Sequence, residues 1–414
     1  MKHVIVIGGG AAGLMAAVSA AGGGARVTVL EKMPSVGRKL LLTGNGRCNV
    51  TNSGDVQTHI KNMPGNGAFL HSALRAFGSH DLIDFLARQG VPTKVERGGR
   101  VFPASDKAAD VVNAFLTALR ALDAILLTGQ AVKELIIEDG AAAGVVTRDG
   151  RRYDAAAVIV ATGGASYPGT GSTGDGYAMA KQAGHTIIPL RPSLVPLEVA
   201  EEWIGELQGL ALKNVSATVL RGEAKVAEAE GEMLFTHFGL SGPLILSLSN
   251  TVSALLAQGE GEVFVAINLM SALAPEEVDK RLQRQFANCR RKQIKNALAD
   301  LLPARLVNVV IDLAFLDPEK PVHQTTKNER ARLANAITGL TFTIKGTRPL
   351  AEAMVTAGGV STKEINPKTM ESKLVKGLYF AGEVIDIDGY TGGFNLQAAF
   401  STGYVAGRHA ARQD

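Results

Sequence analysis

The chain has 414 residues, of which 46% are hydrophobic and 20% charged, and this length predicts a globular protein of two or three domains rather than one. Its net charge of +4 is too small to indicate nucleic acid by itself, and its two cysteines exclude a disulfide framework and a zinc pattern. Because we find no signal-peptide pattern and no run of about 18 apolar residues, we expect a cytoplasmic protein that does not span a membrane.

The first predicted element is a nucleotide-binding fingerprint. Residues 3–7 form a β-branched run typical of a buried parallel strand, and Gly8, Gly10 and Gly13 follow at G-x-G-x-x-G spacing. An alanine-rich helix and a second strand that ends on Glu31 come next. In such a unit the glycines permit a tight turn and close approach to a pyrophosphate, and the acid binds ribose hydroxyls. The sequence therefore predicts a dinucleotide site.

Further strands and a second glycine-rich run follow along the chain. A hairpin is predicted over 140–155, and a buried strand over 156–164. The run 169–174 repeats the fingerprint spacing, but no strand leads into it and no acid follows at the right distance. We interpret it as a loop before a helix, and we expect one dinucleotide and no separate NAD(P)H domain.

The pattern of hydrophobic and polar residues changes in the middle of the chain. Three prolines within 189–199 indicate a linker, and 212–250 with 261–270 alternate in the manner of short antiparallel strands. The pattern becomes helical at 275–335, where Pro275 and two glutamates suit a first helical turn, and returns to strand at 338–349. This pattern predicts a β-barrel-like insert that itself contains a helical insert.

The last element, residues 376–410, is a strand ending at Gly382 and Glu383, then a loop, then a long helix of small residues. Together with the N-terminal fingerprint, it resembles the two-dinucleotide-binding-motif flavoproteins of the glutathione-reductase-like superfamily. The stretches 37–52, 166–185, 235–243 and 353–407 are similar, more narrowly, to a bacterial FAD flavoprotein family that includes aminoacetone oxidase and BaiN-type bile-acid reductases.

The resemblance implies an α/β fold and a domain plan. We expect a Rossmann-like FAD-binding domain with an inserted antiparallel β-barrel-like domain that carries a small helical insert. The expected boundaries are 1–190 and 355–414 for the FAD-binding domain, 191–274 and 337–354 for the barrel, and 275–336 for the helical insert.

The resemblance also implies where FAD would be held without a covalent bond. Residues 37–52 would pass along the pyrophosphate toward the ring, with Arg38, Lys39 and Arg47 neutralising phosphate charge and Asn45, Asn49 and Asn52 bonding flavin or ribityl atoms. The helix that starts near Gly393 would direct its positive end at the flavin. The expected FAD-binding residues are Gly8, Gly10, Ala12, Gly13, Glu31, Lys32, Arg38, Lys39, Thr43, Gly44, Asn45, Gly46, Arg47, Cys48, Asn49, Val132, Ala161, Thr162, Gly163, Gly382, Glu383, Gly393, Phe394, Asn395 and Leu396.

Candidate catalytic groups are Asn49, Tyr167, His237 and Tyr390, which follow from the same motifs. Cys48 has no second cysteine nearby, so we interpret it as a packing residue and do not expect a dithiol–disulfide reductase. No metal is expected.

The predicted function is an FAD-dependent oxidoreductase that takes hydride from NADH or NADPH and reduces a small, enone-like organic substrate. An amine oxidase that uses oxygen, with an aminoacetone-like substrate, is the alternative. A second alternative is an RNA-binding flavoprotein, suggested by the basic run Arg290, Arg291, Lys292 and Lys295. Because few aromatic residues lie near that run, we interpret it as a solvated helix face, and nucleic acid is not the expected partner.

Overall fold

The computed structural model describes residues 1–271 and 273–412 and divides the chain into two compact units. The first unit contains Met1–Ser193 and the chain from Leu350 onward, and the second contains Leu194–Pro349. Each unit buries its own hydrophobic core. In the described ranges, no helix has the length and apolar character needed to cross a membrane.

A five-stranded parallel sheet organises the first unit. The predicted strands form because their β-branched side chains are covered on both faces, and Val4, Ile5 and Val6 are fully buried. The strands are β1 (His3–Ile7), β2 (Arg26–Glu31), β6 (Ile125–Thr128), β10 (Ala157–Val160) and β19 (Leu378–Phe380). Their order in the sheet is β19-β10-β1-β2-β6.

Eight helices belong to the described part of the first unit, and two of them approach each other closely. A Cβ on Gly403 or Gly407 would overlap the backbone of the N-terminal helix, so small residues are what permits this packing. The helices are α1 (Ala11–Gly22), α2 (Arg38–Leu42), α3 (Val56–Lys61), α4 (His71–Ala76), α5 (Ser79–Arg88), α6 (Ala108–Ala121), α7 (Asp175–Gln182) and α13 (Phe394–Ala410).

Three smaller sheets complete the first unit. They contain β3 (Thr51–Asn52), β5 (Arg100–Pro103) and β4 (Thr93–Glu96); β7 (Val132–Glu138), β8 (Ala141–Thr147) and β9 (Arg152–Asp154); and β11 (Ile187–Ser193) with β18 (Val355–Val360). The predicted hairpin is β8–β9. The predicted linker 189–199 contains the boundary between the two units, at Ser193 and Leu194, but most of this stretch is strand. Pro189 and Pro192 are tolerated there because the sheet has only two strands and its register shifts between Ile188 and Arg191.

A closed antiparallel barrel organises the second unit and confirms the predicted barrel-like insert. Its strands are joined in the order β12-β15-β14-β13-β16-β17. They are β12 (Leu197–Val199), β13 (Ala211–Arg221), β14 (Ala224–Phe235), β15 (Gly239–Ser241), β16 (Val263–Asn268) and β17 (Leu340–Thr347).

One predicted strand of this region is instead the helix α8 (Pro243–Gln258). Its first residues alternate apolar and polar side chains, but the buried residues Leu244, Leu248, Val252 and Leu255 repeat at helical spacing. Pro243 at the first helical position and the left-handed Gly259 after the last turn mark its two ends.

The helical part of the second unit has a small core of its own. Its last helix starts with a capping box, in which Thr326 Oγ1 accepts from the Glu329 amide at 3.2 Å and Glu329 Oε2 accepts from the Thr326 amide at 2.7 Å. The helices are α9 (Pro275–Asn288), α10 (Ile294–Leu298), α11 (Ala304–Leu313) and α12 (Lys327–Thr338).

Candidate functional site

The candidate site lies at the carboxyl ends of β1 and β10, at the centre of the parallel sheet. From β1 the chain order proceeds to β2 on one side, whereas β10 and β19 lie on the other side. The crossovers therefore diverge between β1 and β10, and open α/β sheets bind their ligands at such a switch point. Gly8 follows β1 and Ala161 follows β10, so the fingerprint and the later strand meet here.

The three fingerprint glycines meet different surroundings. Gly8 has a φ of +103°, and a Cβ there would lie 2.5 Å from the Ala161 oxygen. A Cβ on Gly13 would overlap the Gly8 carbonyl oxygen, whereas a Cβ on Gly10 would have no neighbour within 4 Å. Packing therefore requires Gly8 and Gly13, while Gly10 borders open space at the start of α1, where the first amide groups have no intrahelical partner. This surface fits a pyrophosphate.

Glu31, at the end of β2, is 9% exposed and holds the glycine loop in place. Its Oε2 accepts from the Gly9 amide at 2.7 Å, and its Oε1 accepts from the Met33 amide at 2.7 Å. Each carboxylate oxygen keeps a second acceptor position that the expected ribose contact could use. The bracing of Gly9 is a role that spacing alone does not indicate.

A shallow, solvent-open cleft lies beside Glu31. Five of the expected FAD-binding residues line it, namely Gly8, Glu31, Lys32, Val132 and Thr162. The structure thus brings together residues from β1, β2, β7 and the end of β10, which are far apart in the sequence. Ala161 is buried next to this cleft, and Gly163 adopts a φ of +73° two residues later.

The glycine-rich run 169–174 also reaches this cleft, although it is not a second fingerprint. Gly171 and Asp175 line the cleft, and Lys32 Nζ donates to Thr173 and Asp175. Sequence analysis missed both lining residues, because it interpreted the run only as a loop before a helix. Lys32 is therefore fixed by an acid and a hydroxyl at the rim of the cleft.

A second group of polar residues surrounds Glu383. Lys39 Nζ donates to Glu383 Oε2 at 2.8 Å and to Ser166 Oγ at 2.9 Å. Glu383 Oε1 accepts from the Thr356 amide at 2.8 Å and from Ser166 Oγ at 3.0 Å. Burial acts to raise the pKa of Glu383, but the charge of Lys39 and these hydrogen bonds outweigh it and lower the pKa. Glu383 is therefore a fixed anion, and its partner is Lys39.

The segment 37–52 contains two buried polar atoms without hydrogen-bond partners among the described residues. These atoms are Arg38 Nε and Asn49 Oδ1. Buried polar groups in folded proteins nearly always have partners, so each orphan atom fits a ligand that would complete the site. Around them the backbone is tightly turned and exposed, with positive φ at Gly44, Asn45 and Gly46.

Three other residues of this segment have protein partners. Thr43 Oγ1 donates to the Leu40 oxygen at 2.7 Å. Arg47 pairs with Glu96 and Asp106 and lies 4.1 Å from the centre of the Phe102 ring, so its charge is taken up by carboxylates. Asn52, expected at the flavin, instead donates to the Gly98 and Gly392 oxygens at 2.9 and 3.2 Å.

Cys48 is completely buried and has a φ of +61°. Burial raises the pKa of its thiol to about 11, so the thiolate is scarce at neutral pH.

The C-terminal element closes the same unit. Gly382, with a φ of +76°, faces Ala12 at the start of α1, because a Cβ on Gly382 would lie 2.7 Å from the Ala12 Cβ. Gly393 caps α13 with a φ of +97°. Asn395 accepts from the Gly389 amide and donates to the Gly389 oxygen, each at 2.8 Å, so its side chain braces the preceding loop. Phe394 is buried, and Leu396 is half-buried on the first turn.

Three of the four candidate catalytic residues lie in the first unit. Tyr167 is 37% exposed with a φ of +51°, and Tyr390 is half-buried with its amide bonded to the Asn62 oxygen at 2.9 Å. Asn49 carries the orphan oxygen described above. His237 belongs to the second unit, where it is exposed between β14 and β15 and lies edge-on to Phe238.

Two acids in the loop before α13, the buried Asp388 and the half-buried Asp386, were missed by sequence analysis. Asp388 is 8% exposed and accepts from Ser193 Oγ at 2.9 Å, and Asp386 accepts from Asn66 Nδ2 at 2.9 Å. Burial raises the pKa of both carboxyl groups, to about 6 for Asp388, although Arg191 opposes the rise. The Asp-x-Asp pattern in the sequence was the available signal.

Comparisons with known proteins relate to the whole chain. The sequence pattern of the family described as HI0933-like protein Rossmann domain matches residues 2–409. The chain is 35% identical over 390 residues to the 3-dehydro-bile acid delta(4,6)-reductase of Clostridium scindens, covering 94% of this chain and 93% of the relative. It is 34% identical over 413 residues to the ribosomal RNA dihydrouridine synthase of Haemophilus influenzae, covering 99% and 98%.

A solved structure shows a similar fold. The 3-ketosteroid-delta4-(5alpha)-dehydrogenase from Rhodococcus jostii RHA1 aligns with a TM-score of 0.54 at 16% identity, covering 100% of this chain and 97% of that chain.

Proposed function

Because this chain belongs to the HI0933-like Rossmann-domain family, we propose that it is an FAD-dependent oxidoreductase that reduces a carbon–carbon double bond conjugated to a carbonyl group. Family membership confirms the resemblance drawn from the sequence motifs. The finer parts of the proposal, which are the substrate class and the electron donor, rest on the arguments that follow.

The observation that carries the proposal is the open surface at Gly10. Fingerprint glycines on either side are locked by packing, whereas Gly10 borders space at a helix start and beside a cleft that Glu31 lines. Arg38 Nε and Asn49 Oδ1 supply two further unpaired polar atoms for an extended ligand. These residues fit FAD better than a small ligand, because they extend from a ribose-binding acid past the pyrophosphate position to the segment 37–52.

The chain's own residues support redox chemistry on such a cofactor. When bound, FAD supplies hydride transfer between a donor and the substrate. The amino end of α13 carries a partial positive charge that favours negative charge on a bound ligand, and Asn395 with Gly393 fixes this helix end. Tyr167 is exposed and Tyr390 is half-buried, and these two tyrosines are the candidate proton donors of the first unit.

The substrate class follows from chemistry that the two relatives share. A 3-dehydro bile acid has a ketone that is conjugated to its double bonds, and dihydrouridine is uridine with two hydrogens added across a double bond conjugated to a carbonyl. Both named activities therefore add hydride and proton to an enone-type bond. For this chain we favour a free enone as substrate, with NADH or NADPH as the donor.

The test is anaerobic mixing of the FAD-loaded protein with NADH or NADPH, followed by addition of a conjugated cyclic enone. Bleaching of the flavin absorbance by one nicotinamide and its recovery on adding the enone is the expected result. If neither nicotinamide bleaches the flavin, the reductase proposal fails. Peroxide produced from aminoacetone under air would then support the amine-oxidase alternative.

The second candidate substrate is a uracil base in ribosomal RNA. It is favoured by the dihydrouridine synthase relative, which aligns over 99% of this chain. Incubation of unmodified ribosomal RNA with the loaded protein and NADPH should then add the mass of two hydrogens to a single nucleotide. An unchanged mass of every fragment, with active reduction of a free enone, rejects this candidate.

A further inference from the structure

We propose that the helical part of the second unit binds RNA through an exposed surface formed by Lys280, Arg281, Arg284, Arg290 and Arg291, with Phe315 as a base-stacking residue. We call these six residues the basic surface. The inference deepens the ribosomal RNA candidate above. Its test measures RNA binding alone. RNA binding can therefore fail while enone reduction succeeds, and enone reduction can fail while RNA binding succeeds.

The positive charge of the protein is concentrated in one segment. Residues 280–295 contain seven basic residues and no acidic residue, whereas the rest of the chain has 36 basic and 39 acidic residues. Without this segment the protein would carry a net negative charge. A local charge of this size attracts a polyanion, and the whole-chain value of +4 conceals it.

Ion pairing separates this segment into two groups. Lys292 pairs with Asp300 at 3.4 Å, and Lys295 pairs with Glu319. The other five side chains are exposed and form no ion pair within the described residues. An internal structural role explains the paired lysines but not the remaining five, of which four are arginines, the residue type best suited to bidentate phosphate contacts.

Three of the five lie on one side of α9. Lys280, Arg281 and Arg284 are spaced at three and four residues, opposite the buried stripe that begins with Val278. Like charges at this spacing repel one another, which Glu276 and Glu277 in the first turn offset for Lys280 and Arg281 but not for Arg284. A phosphate backbone placed along this side would remove that repulsion.

The other two lie on a turn with a fixed backbone. The Arg290 oxygen accepts from the His323 amide at 3.3 Å and contacts His323 Nδ1 at 2.8 Å, and the Lys292 oxygen accepts from the Val322 amide at 3.0 Å. The two arginines are therefore presented from a rigid turn directly after α9, and less backbone entropy is lost when a ligand binds.

Phe315 is an independent observation that indicates nucleic acid. It is 85% exposed and has a φ of +53°. Its amide donates to the Asp312 oxygen at 3.0 Å, and the Leu316 amide donates to the Ile311 oxygen at 3.2 Å, so Phe315 occupies the left-handed position after α11 where glycine is usual. A large aromatic side chain is thus displayed at a position that favours the smallest residue.

The position of Phe315 connects it with the basic segment. Three residues after it, the Pro318 oxygen accepts from the Lys295 amide at 3.3 Å, so the loop that carries Phe315 is bonded to this segment. Exposed aromatic rings next to basic residues stack on the bases of single-stranded RNA. An acidic protein would use the charge but would not require an isolated stacking ring. An anionic membrane could use both, so vesicle binding is measured as the competing outcome.

The experiment measures binding of a labelled RNA stem-loop with a uridine-containing loop to the full chain by fluorescence anisotropy, between about 50 and 200 mM salt. The test variants are the triple variant R281Q/R284Q/R291Q and Phe315→Gly. The matched control is K61Q/R88Q/R120Q, which removes three exposed positive charges from the first unit.

We expect the triple variant to bind at least tenfold more weakly than the control, with a salt slope reduced by about 2. Phe315→Gly should weaken binding severalfold without lowering the melting temperature, because glycine fits the left-handed position. Reduction of a free enone should be unchanged in all variants. Equal RNA binding by the triple variant and the control overturns the proposal, as does equally tight binding of the wild-type protein to phosphatidylserine vesicles or to polyglutamate.

Discussion

Lys39 and Glu383, which are 344 positions apart in the sequence, form an ion pair of 2.8 Å next to Ser166. About a quarter of the Lys39 side chain and a fifth of the Glu383 side chain remain exposed. The pair therefore connects the segment after the first βαβ unit with the loop after the last strand of the sheet, in an environment that is only partly screened by water.

We expect Lys39→Met to lower the free energy of unfolding by about 2–3 kcal/mol, because the carboxylate of Glu383 is then left without its cation. The double variant K39M/E383Q should recover most of this loss, since no unpaired charge remains. Urea unfolding of the cofactor-free protein measures both. A loss in the double variant as large as in Lys39→Met would contradict this explanation, and Lys39→Arg serves as the conservative control.

Gly10→Ala should impair FAD binding, whereas Gly13→Ala should impair folding. A methyl group at Gly10 has space in the protein but would occupy the surface assigned to the pyrophosphate, so FAD binding should weaken at least tenfold with little change in melting temperature. The same methyl group at Gly13 overlaps the Gly8 carbonyl oxygen and should impair folding. Fluorescence titration with FAD and thermal unfolding of the cofactor-free protein separate the two. Unchanged FAD affinity in Gly10→Ala would remove the main support for the cofactor site.

The stability contribution of Asp388 should depend on pH with a defined sign. Because its pKa is raised to about 6 from a usual value of 3.8, the folded state holds this proton more tightly than the unfolded state, and stability falls as the pH rises through this window. The free energy of unfolding of Asp388→Asn, measured relative to that of wild type, should therefore rise by about 3 kcal/mol as the pH is raised from about 4 to about 7.

The difference between the two proteins is the quantity to measure. Burial lowers the pKa of His59 and His185, which gives a pH dependence of opposite sign in wild type and variant alike. Urea unfolding at several pH values isolates the contribution of Asp388 to the pH dependence of stability. Asp84→Asn, at an exposed position, is the control. A difference that does not change with pH would show that Asp388 titrates normally.

A thiol reagent should modify the two cysteines in different states of the protein, one in the native state and the other only after denaturation. Cys48 is fully buried with a pKa of about 11, whereas Cys289 is half-buried and donates to the Gln285 oxygen at 3.0 Å. We expect a colorimetric thiol reagent to modify Cys289 alone in the native protein, and Cys48 only after denaturation. The variant Cys289→Ser should show no native reaction. Rapid modification of Cys48 in that variant would contradict its burial.

The sequence predicted those features that depend on neighbours along the chain. Gly8, Gly10, Gly13 and Glu31 lie within one βαβ unit, so their spacing alone indicated the turn, the helix start and the strand end. The helix α8 was misjudged because the same residues satisfy a period of two over a short window and a helical period only over a longer one.

Contacts between distant segments could not be predicted in this way. Ser193 and Asp388 are 195 positions apart, and nothing in the local pattern of either indicates a shared buried hydrogen bond. The expectation that Arg47 neutralises phosphate considered its charge but not Glu96, at the end of β4, and Asp106, which follows β5. Burial and pairing of charges are set by tertiary structure, so periodicity carries no information about them.

The packing of α1 against α13 has a consequence for synthesis on the ribosome. Helix α1 is synthesised long before Gly403 and Gly407, which cover Ala12 and Ala16. The second unit, Leu194–Pro349, is contiguous in sequence and can complete its cores before α13 is synthesised. In the nascent chain, residues 194–349 should therefore become protease-resistant before residues 1–193.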